Sequence, residues 1–243
     1  MKIILANDYA EMSRIAADIV EKTVREDPAC TLGLATGSSP VGMYRELARR
    51  CREEGLDFSK VQSVNLDEYV GLEPTHEQSY RYFMNDNLFD HINIDKNNTY
   101  VAHGTGNAEE NLKEFNDILD KTDIDIQVLG VGPDGHLGFN EPGATLYDCA
   151  HMETLDESTI DANRRFFASR DEVPRYAFTM GMGNIMRAKK LLTIVAGHKD
   201  DAMRKLLLSD KIDPLCPVTF LRLHRDATVI LEKQLAEEIG YKA

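Results

Sequence analysis

The sequence predicts an α/β fold in which a mostly parallel central sheet lies between two layers of helices. Short runs of β-branched and aliphatic residues alternate along the chain with longer segments of helical periodicity, which is the pattern of successive βαβ units. With 243 residues, 42% of them hydrophobic and 28% charged, the chain can bury a substantial core. We therefore expect a single domain over residues 1–243, with a Rossmann-like, three-layer order of elements.

Six segments rich in aliphatic and β-branched residues are predicted as strands. They are residues 2–5, 30–35, 61–65, 124–129, 190–195 and 227–231. Four segments have apolar residues at helical spacing and are predicted as helices. They are residues 12–24, 41–51, 109–119 and 199–208.

Residues 147–172 differ from the segments on either side. This stretch is polar and has no clear periodicity, although it lies between clearly patterned elements. A mobile lid over a binding site has this character, and so does an ordinary surface excursion. The pattern by itself does not separate the two interpretations.

The charge balance limits the classes of partner. The chain carries 28 Lys and Arg residues against 41 Asp and Glu, a formal net charge of −13. Such a charge disfavours nonspecific binding to nucleic acid or to an anionic membrane. An anionic ligand must therefore be bound by local basic groups.

The cysteines and the apolar segments indicate a cytoplasmic protein. Cys30, Cys51, Cys149 and Cys216 are far apart and form no C-x-x-C pair, as expected for reduced thiols. The apolar residues at the amino terminus are too few for a signal sequence, and no stretch approaches the ~20 apolar residues of a membrane span.

A loop between a predicted strand and a predicted helix has the composition of a phosphate site. It reads Thr36-Gly37-Ser38-Ser39-Pro40. Glycine allows close approach of the backbone, hydroxyls donate hydrogen bonds, and the following helix presents free amides and a positive dipole end. Alternatively, Ser39 caps the helix and Pro40 is its first residue. Ligands of α/β sheets bind at the carboxyl ends of the strands, which favours the first interpretation.

Two adjacent acids, Asp67 and Glu68, follow the strand predicted at residues 61–65. Because side chains alternate along an extended backbone, only one of them is expected to face a cleft. The spacing does not say which one. Two solvated acids at the start of a loop are the alternative.

The glycine-rich stretch after the strand at residues 124–129 is the best candidate for proton transfer. It contains Asp134, His136 and Glu141, and an acid on each side of a histidine can orient its ring and set its proton affinity. The glycines make room for a substrate. An Asp-x-His pair is also found in metal sites, but the chain has no further ligand cluster of metal-binding spacing, so we expect no metal.

Together these motifs resemble the glucosamine-6-phosphate deaminase family, within the wider group that includes the 6-phosphogluconolactonases. The resemblance covers nearly the whole chain. It rests on the stretches 34–40, 65–71, 79–84, 132–142 and 164–167. The Gly-x-Gly-x-Asp-Gly-His portion is similar in the lactonases, whereas Asp-Glu-Tyr-Val-Gly and Phe-Asn-Glu-Pro resemble the deaminases alone.

The resemblance implies conversion of glucosamine 6-phosphate and water to fructose 6-phosphate and ammonia, without a cofactor. Asp67 matches the family's enolising base, which moves a proton from C2 to C1, and Glu68 would face away. His136 matches the ring-opening acid and base, with Asp134 and Glu141 orienting it.

The phosphate of the substrate would be bound by residues that match the family's anion site. These are Thr36, Gly37, Ser38, Ser39, Arg165 and Lys199, with Gly130, Val131 and Gly132 completing the substrate site. Arg165 falls in the predicted lid, where an arginine can close over a phosphate. Surface charge pairing is the alternative for this arginine.

The chain departs from allosterically regulated relatives, which are longer and carry basic residues where this sequence reads His151-Met152-Glu153. Glu153 would repel a second phosphate. We therefore expect no activation by N-acetylglucosamine 6-phosphate, and a monomer or small homo-oligomer. A 6-phosphogluconolactonase and an inert sugar-phosphate sensor are the two alternative functions.

Overall fold

The computed structural model describes residues 1–155, 157, 160, 161, 164, 167 and 169–242. Strands within these residues are β1 (Lys2–Ala6), β2 (Thr31–Leu34), β3 (Gln62–Asn65), β4 (Asp67–Tyr69), β5 (Thr99–Tyr100), β6 (Ile126–Leu129), β7 (His151–Thr154), β8 (Tyr176–Thr179), β9 (Leu191–Val195) and β10 (Ala227–Glu232). The α-helices within them are α1 (Tyr9–Glu26), α2 (Val41–Glu54), α3 (Tyr80–Asn87), α4 (Ala108–Leu119), α5 (Met182–Arg187), α6 (Asp200–Leu208) and α7 (Lys233–Ile239).

The central sheet has seven strands in the order β1-β10-β9-β6-β2-β3-β5, and every strand pair in it is parallel. Helices flank this sheet, so the predicted three-layer α/β fold is confirmed. All six predicted strands and all four predicted helices are present, with ends that differ by a few residues.

The core forms where apolar helix faces meet the sheet. β9 is buried at all five positions, because both faces of a central parallel strand are covered. In α1 the buried residues Met12, Ala16, Val20 and Val24 recur at helical spacing, and the Asp8 side chain accepts a hydrogen bond from the N–H of Glu11 to begin the helix. Of the helices that the structure describes, none is long and apolar enough to cross a membrane.

A second, antiparallel sheet in the order β4-β8-β7 was not predicted. Its strand β7 covers residues 151–154, which lie in the stretch 147–172 that the sequence pattern leaves irregular. The antiparallel partners are far apart in sequence, since Asp67 pairs with Thr179, and β4 has only three residues. Neither property leaves a local pattern in the sequence.

The parallel topology brings the predicted site residues to one edge of the central sheet. The neighbouring strands β9, β6, β2 and β3 all end at this edge. The segments that follow β9, β6 and β2 carry Lys199, the stretch from Gly130 and the stretch from Thr36, respectively. Asp67, the first residue of β4, lies two residues after the end of β3. This edge is where open α/β sheets bind ligands.

Candidate active site

The loop between β2 and α2 contains the residues predicted to bind phosphate, Thr36 to Ser39. Gly37 has a φ of +82°, a left-handed conformation that glycine adopts without strain. The Tyr9 hydroxyl donates a hydrogen bond to the carbonyl of Ser38 at 2.9 Å and accepts one from the N–H of Gly42 at 2.8 Å. The loop is thus tied to the first turn of α2, whose positive dipole end faces it.

The alternative interpretation of this loop, with Ser39 as the helix cap, is wrong. Pro40 occupies the N-cap position itself, α2 begins at Val41, and Pro40 makes no capping hydrogen bond. The structure thus places Pro40 rather than Ser39 at the cap, and the Ser39 hydroxyl stays a candidate donor to a ligand.

The two acids of β4 face different surroundings. Glu68 is buried and accepts hydrogen bonds from the N–H groups of Tyr69 (2.8 Å), Tyr80 (2.8 Å) and Arg81 (3.0 Å). Because Tyr80 and Arg81 are the first residues of α3, Glu68 caps that helix. The Asp67 carboxyl is also buried, but its Oδ1 has no hydrogen-bond partner among the described residues. The sequence spacing did not say which of the two acids faces a cleft. The hydrogen bonds favour Asp67 as the candidate base.

Burial raises the pKa of Asp67 to about 8, and repulsion from Glu68 adds to the effect while the charge of His136 opposes it. Burial also raises the pKa of Glu68, to about 7, against the stabilising effect of its three N–H donors and of Arg81. A carboxyl group with a pKa near the working pH can both accept and return a proton, which is the property of a general base.

The glycine-rich stretch after β6 passes beside the β2–α2 loop. A Cβ atom added to Gly130 would lie 3.8 Å from Oγ of Ser39, so the two segments are close neighbours. Val131 is buried, and a Cβ atom added to Gly132 would overlap the imidazole ring of His136. Glycine at position 132 is therefore required by the close approach of that ring.

His136 and its two acids form one compact group. Its Nδ1 lies 2.8 Å from Oδ1 of Asp134 and 3.4 Å from Oε2 of Glu141. These are ion-pair distances, although neither carboxylate lies along the N–H direction of a well-formed hydrogen bond. Since Nδ1 faces both acids, Nε2 is the nitrogen that a substrate can use.

Opposing effects set the proton affinity of this group. Burial lowers the pKa of His136, but contact with Asp134 and with Glu141 outweighs burial and raises that pKa to about 9. Burial likewise raises the pKa of Asp134, and its contact with His136 outweighs this and lowers the pKa to about 2. At neutral pH His136 is therefore an imidazolium that can donate a proton.

The histidine loop also reaches Asp67. Gly138, with a φ of +61°, lies so close that an added Cβ atom would be 3.5 Å from Oδ2 of Asp67. The structure thus brings Asp67 and the loop that carries His136 and Glu141 together, as the sequence motifs predicted for one site.

Two basic residues were predicted to bind phosphate. Lys199 occupies the N-cap position of α6, at the same sheet edge. A cleft of about 420 Å³ joins the β2–α2 loop to the end of β9, and its lining includes Ser38, Gly197 and the acidic Glu232 but not Lys199. Arg165 lies outside the described residues.

Part of the predicted lid region contacts the site. Phe167 packs edge-on against Tyr69, two residues after Asp67, with ring centroids 6.2 Å apart. Ile160 is buried in the same small apolar cluster, which also includes Phe139 from the histidine loop.

Among the residues that the structure describes, two groups of side chains have donor atoms close enough to hold a metal ion. In Asp134, His136 and Glu141 the ligand atoms lie within 4.8 Å of one another, and the same holds for His198, Asp200 and Glu238. In the first group both carboxylates approach the same nitrogen, Nδ1, which is also the arrangement that orients an imidazole for proton transfer.

Sequence reasoning gave no role to two residues beside the candidate base, Asn140 and Thr179. Asn140 appeared only as part of a motif, and its buried setting depends on a contact with the end of β8. Thr179 lies opposite Asp67 because β4 pairs with β8. No local signal could have identified it.

The fold and the site define a class of protein: a three-layer α/β protein with a candidate proton-transfer group and a candidate anion loop at one sheet edge. A family model described as glucosamine-6-phosphate isomerases/6-phosphogluconolactonase matches residues 7–230, so the chain belongs to this family. The glucosamine-6-phosphate deaminase of Clostridium perfringens is 51% identical over 239 residues, which cover 98% of this chain and 99% of the relative. That of Thermoanaerobacter sp. is 45% identical over 241 residues, covering 98% and 95%.

Solved structures agree with the sequence matches. A structure described as a monomeric glucosamine-6-phosphate deaminase has a TM-score of 0.93 and 40% identity, covering 98% of this chain and 99% of its own. The 6-phosphogluconolactonase of Thermotoga maritima has a TM-score of 0.72 at 21% identity, covering 94% and 97%, and shares the fold.

Proposed function

We propose that this chain is a glucosamine-6-phosphate deaminase, which converts glucosamine 6-phosphate and water to fructose 6-phosphate and ammonia in amino-sugar catabolism. The observation that carries the proposal is the buried Asp67, whose Oδ1 has no hydrogen-bond partner among the described residues and whose pKa is raised to about 8. Lactone hydrolysis requires no removal of a proton from carbon, whereas an aldose–ketose isomerisation does. The relatives at 45–51% identity over nearly the full chain support the same activity.

Ring opening would be the first step. The His136 imidazolium donates its Nε2 proton to the ring oxygen O5 as the C1–O5 bond breaks, and the neutral imidazole then takes the proton of the anomeric hydroxyl, which leaves the open aldose and returns His136 to its protonated form. Asp134 and Glu141 hold the ring through Nδ1 and stabilise its positive charge.

Isomerisation and loss of the amine would follow. Ring opening makes the C2 proton acidic, because the carbonyl at C1 stabilises the electron pair left behind. Asp67 takes this proton while the C1 oxygen gains one from the C2 ammonium, which gives an enediol-type intermediate that carries the amine. Asp67 then returns its proton to C1, leaving a C1 hydroxyl and an iminium at C2. Water adds to the iminium carbon and ammonium leaves, which gives the ketone, so atoms and charge balance.

The phosphate would be held by the backbone and hydroxyls of Thr36 to Ser39 together with Lys199 and Arg165. The dipole end of α2 adds a favourable potential for an anion. In a chain with a net charge of −13, such local groups are needed to bind a phosphate. The substrate site would also include Gly130, Val131 and Gly132, and residues 147–172 would act as a mobile lid within the single domain.

The site as proposed needs neither metal nor cofactor, and the protein would act in the cytoplasm as a monomer or small homo-oligomer. The solved deaminase at 40% identity is described as monomeric, which supports the lower oligomeric states.

The test is to incubate purified protein with glucosamine 6-phosphate and a metal chelator, and to measure ammonia and fructose 6-phosphate together. Equal release of both products supports the proposed reaction without an essential metal. No turnover of this substrate, with hydrolysis of 6-phosphogluconolactone instead, would establish the lactonase. Binding of sugar phosphates without turnover of either would indicate the sensor.

A further inference from the structure

Two buried side chains join the histidine loop to the end of β8. Nδ2 of Asn140 donates hydrogen bonds to the carbonyl of Leu137, in its own loop, and to that of Met180, both at 2.8 Å. In the other direction, Oγ1 of Thr179 accepts a hydrogen bond at 3.1 Å from the N–H of Phe139. Residues 137–140 and 179–180 are thus tied at two points.

These two hydrogen-bonded contacts lie between the candidate base and the candidate ring-opening group. Thr179 is the direct cross-strand partner of Asp67 in the β4–β8 pair. On the other side, residues 137–140 lie between His136 and Glu141. The contacts therefore connect the strand pair that carries the candidate base with the loop that carries the candidate ring-opening group.

The distances around Gly138 show how close these groups are. A Cβ atom added there would lie 2.8 Å from Oγ1 of Thr179, 3.5 Å from Oδ2 of Asp67 and 3.9 Å from Nδ2 of Asn140. A small shift of the loop against β8 would change the distance from His136 to Asp67 directly.

We propose that Asn140 and Thr179 are positioning residues, which fix the separation between Asp67 and the His136–Glu141 pair so that both contact the same substrate. The inference rests on the proposed deaminase function, because it assigns these two groups to successive steps on one sugar. Neither residue needs to touch the substrate.

The chemistry of the two side chains suits this role. Asn140 is 2% exposed and uses both amide hydrogens on carbonyl oxygens from separate segments, which also fixes the orientation of its amide. Alanine would remove one of the two donors from each carbonyl, leaving that of Leu137 with the backbone N–H of residue 140 and that of Met180 with the Thr179 hydroxyl. Aspartate would direct a charge at both carbonyls. At position 179, serine keeps the hydroxyl that accepts from Phe139, whereas valine has nearly the same shape and lacks it.

The experiment compares Asn140→Ala, Thr179→Val and Thr179→Ser with the wild-type enzyme in kcat, KM and Tm for glucosamine 6-phosphate. Asn116→Ala is the matched control, because Nδ2 of Asn116 also donates to two carbonyls, those of Leu112 (3.1 Å) and Ala150 (3.0 Å), outside the site. We expect Asn140→Ala to lower kcat about 100-fold with little change in KM, since a misplacement of about 1 Å can have that effect. Thr179→Val should also lower kcat with little change in KM, whereas Thr179→Ser, which keeps the hydroxyl, should have a kcat close to that of the wild-type enzyme.

The outcomes separate the inference from the proposed function. Absence of deamination by the wild-type enzyme overturns both. If the wild-type enzyme is active and Asn140→Ala keeps a kcat like that of Asn116→Ala, the positioning role is wrong, and a Thr179→Ser variant as slow as Thr179→Val contradicts it equally. Should Asn140→Ala fail to fold, the two Thr179 variants decide alone.

Discussion

At the scale of single residues, the neighbours Asp67 and Glu68 show how hydrogen-bond partners decide the chemistry of otherwise similar side chains. Glu68 accepts three backbone hydrogen bonds and serves α3, whereas the buried Oδ1 of Asp67 accepts none from the described residues. An unsatisfied buried carboxylate is costly to a fold, so its presence at a ligand-binding edge favours a catalytic use.

Replacing Asp67 by Asn should lower turnover strongly while keeping substrate affinity, because the amide has the same shape but cannot accept the C2 proton. The measurement is kcat by ammonia release together with Kd for glucosamine 6-phosphate by calorimetry. A general base contributes about 10²- to 10⁴-fold, so a fall of that size is expected. Wild-type turnover in this variant would exclude Asp67 as the base.

The pH dependence of kcat/KM should be bell-shaped. Asp67 must be ionised to accept a proton, so activity rises as pH passes the pKa of this carboxyl, about 8. His136 must carry its proton to donate one, so activity falls as pH passes the pKa of the imidazole, about 9. The maximum therefore lies between these values.

Asp134→Asn tests whether the fall in kcat/KM at high pH, the falling limb of the profile, comes from deprotonation of His136. Burial lowers the pKa of His136 and the Asp134 carboxylate raises it, so removing that charge should move the falling limb to lower pH. The exposed Asp120, replaced in the same way, is the control and should leave the limb in place. An unchanged limb in Asp134→Asn would show that His136 does not set it.

At the scale of elements, the histidine loop depends on glycine where the ring needs space. Gly132→Ala should displace His136, because the added methyl group would overlap the imidazole, and kcat should fall by about 100-fold or more. Gly143→Ala in the same loop is the control, since its Cβ would meet nothing closer than the carbonyl of Thr145 at 3.4 Å. Equal activity of the two variants would contradict this account of Gly132.

The elements also show what could be predicted from the sequence. The strands and helices of the central sheet carry their own periodicity, so β2, β6, β9 and α1 could be recognised locally. The antiparallel sheet could not, because β4 has three residues and its partner β8 begins more than a hundred residues later. The motif that contains Asp67 is local and could be recognised. The contacts of Asp67 with Thr179 and Gly138 join distant parts of the sequence and could not.

At the scale of the whole molecule, the predicted kinetics are simple. The resemblance to the family implies that regulated relatives carry basic residues where this chain has Glu153, whose Oε2 lies 3.2 Å from Nε2 of His151 in the edge strand β7. A second phosphate would meet a negative charge there. We expect hyperbolic kinetics that N-acetylglucosamine 6-phosphate leaves unchanged, together with a sedimentation coefficient of a monomer or small oligomer. Sigmoidal kinetics relieved by that compound would contradict the prediction.

The two sheets divide the site in a way that bears on the choice of sugar. The candidate base belongs to the antiparallel sheet, and the candidate anion loop belongs to the parallel one. In the proposed mode a sugar phosphate would contact both sheets, with its reactive carbons against one and its phosphate against the other. The length of the carbon chain would then help to place C1 and C2 beside Asp67, and we expect sugar phosphates of other chain lengths to be turned over more slowly.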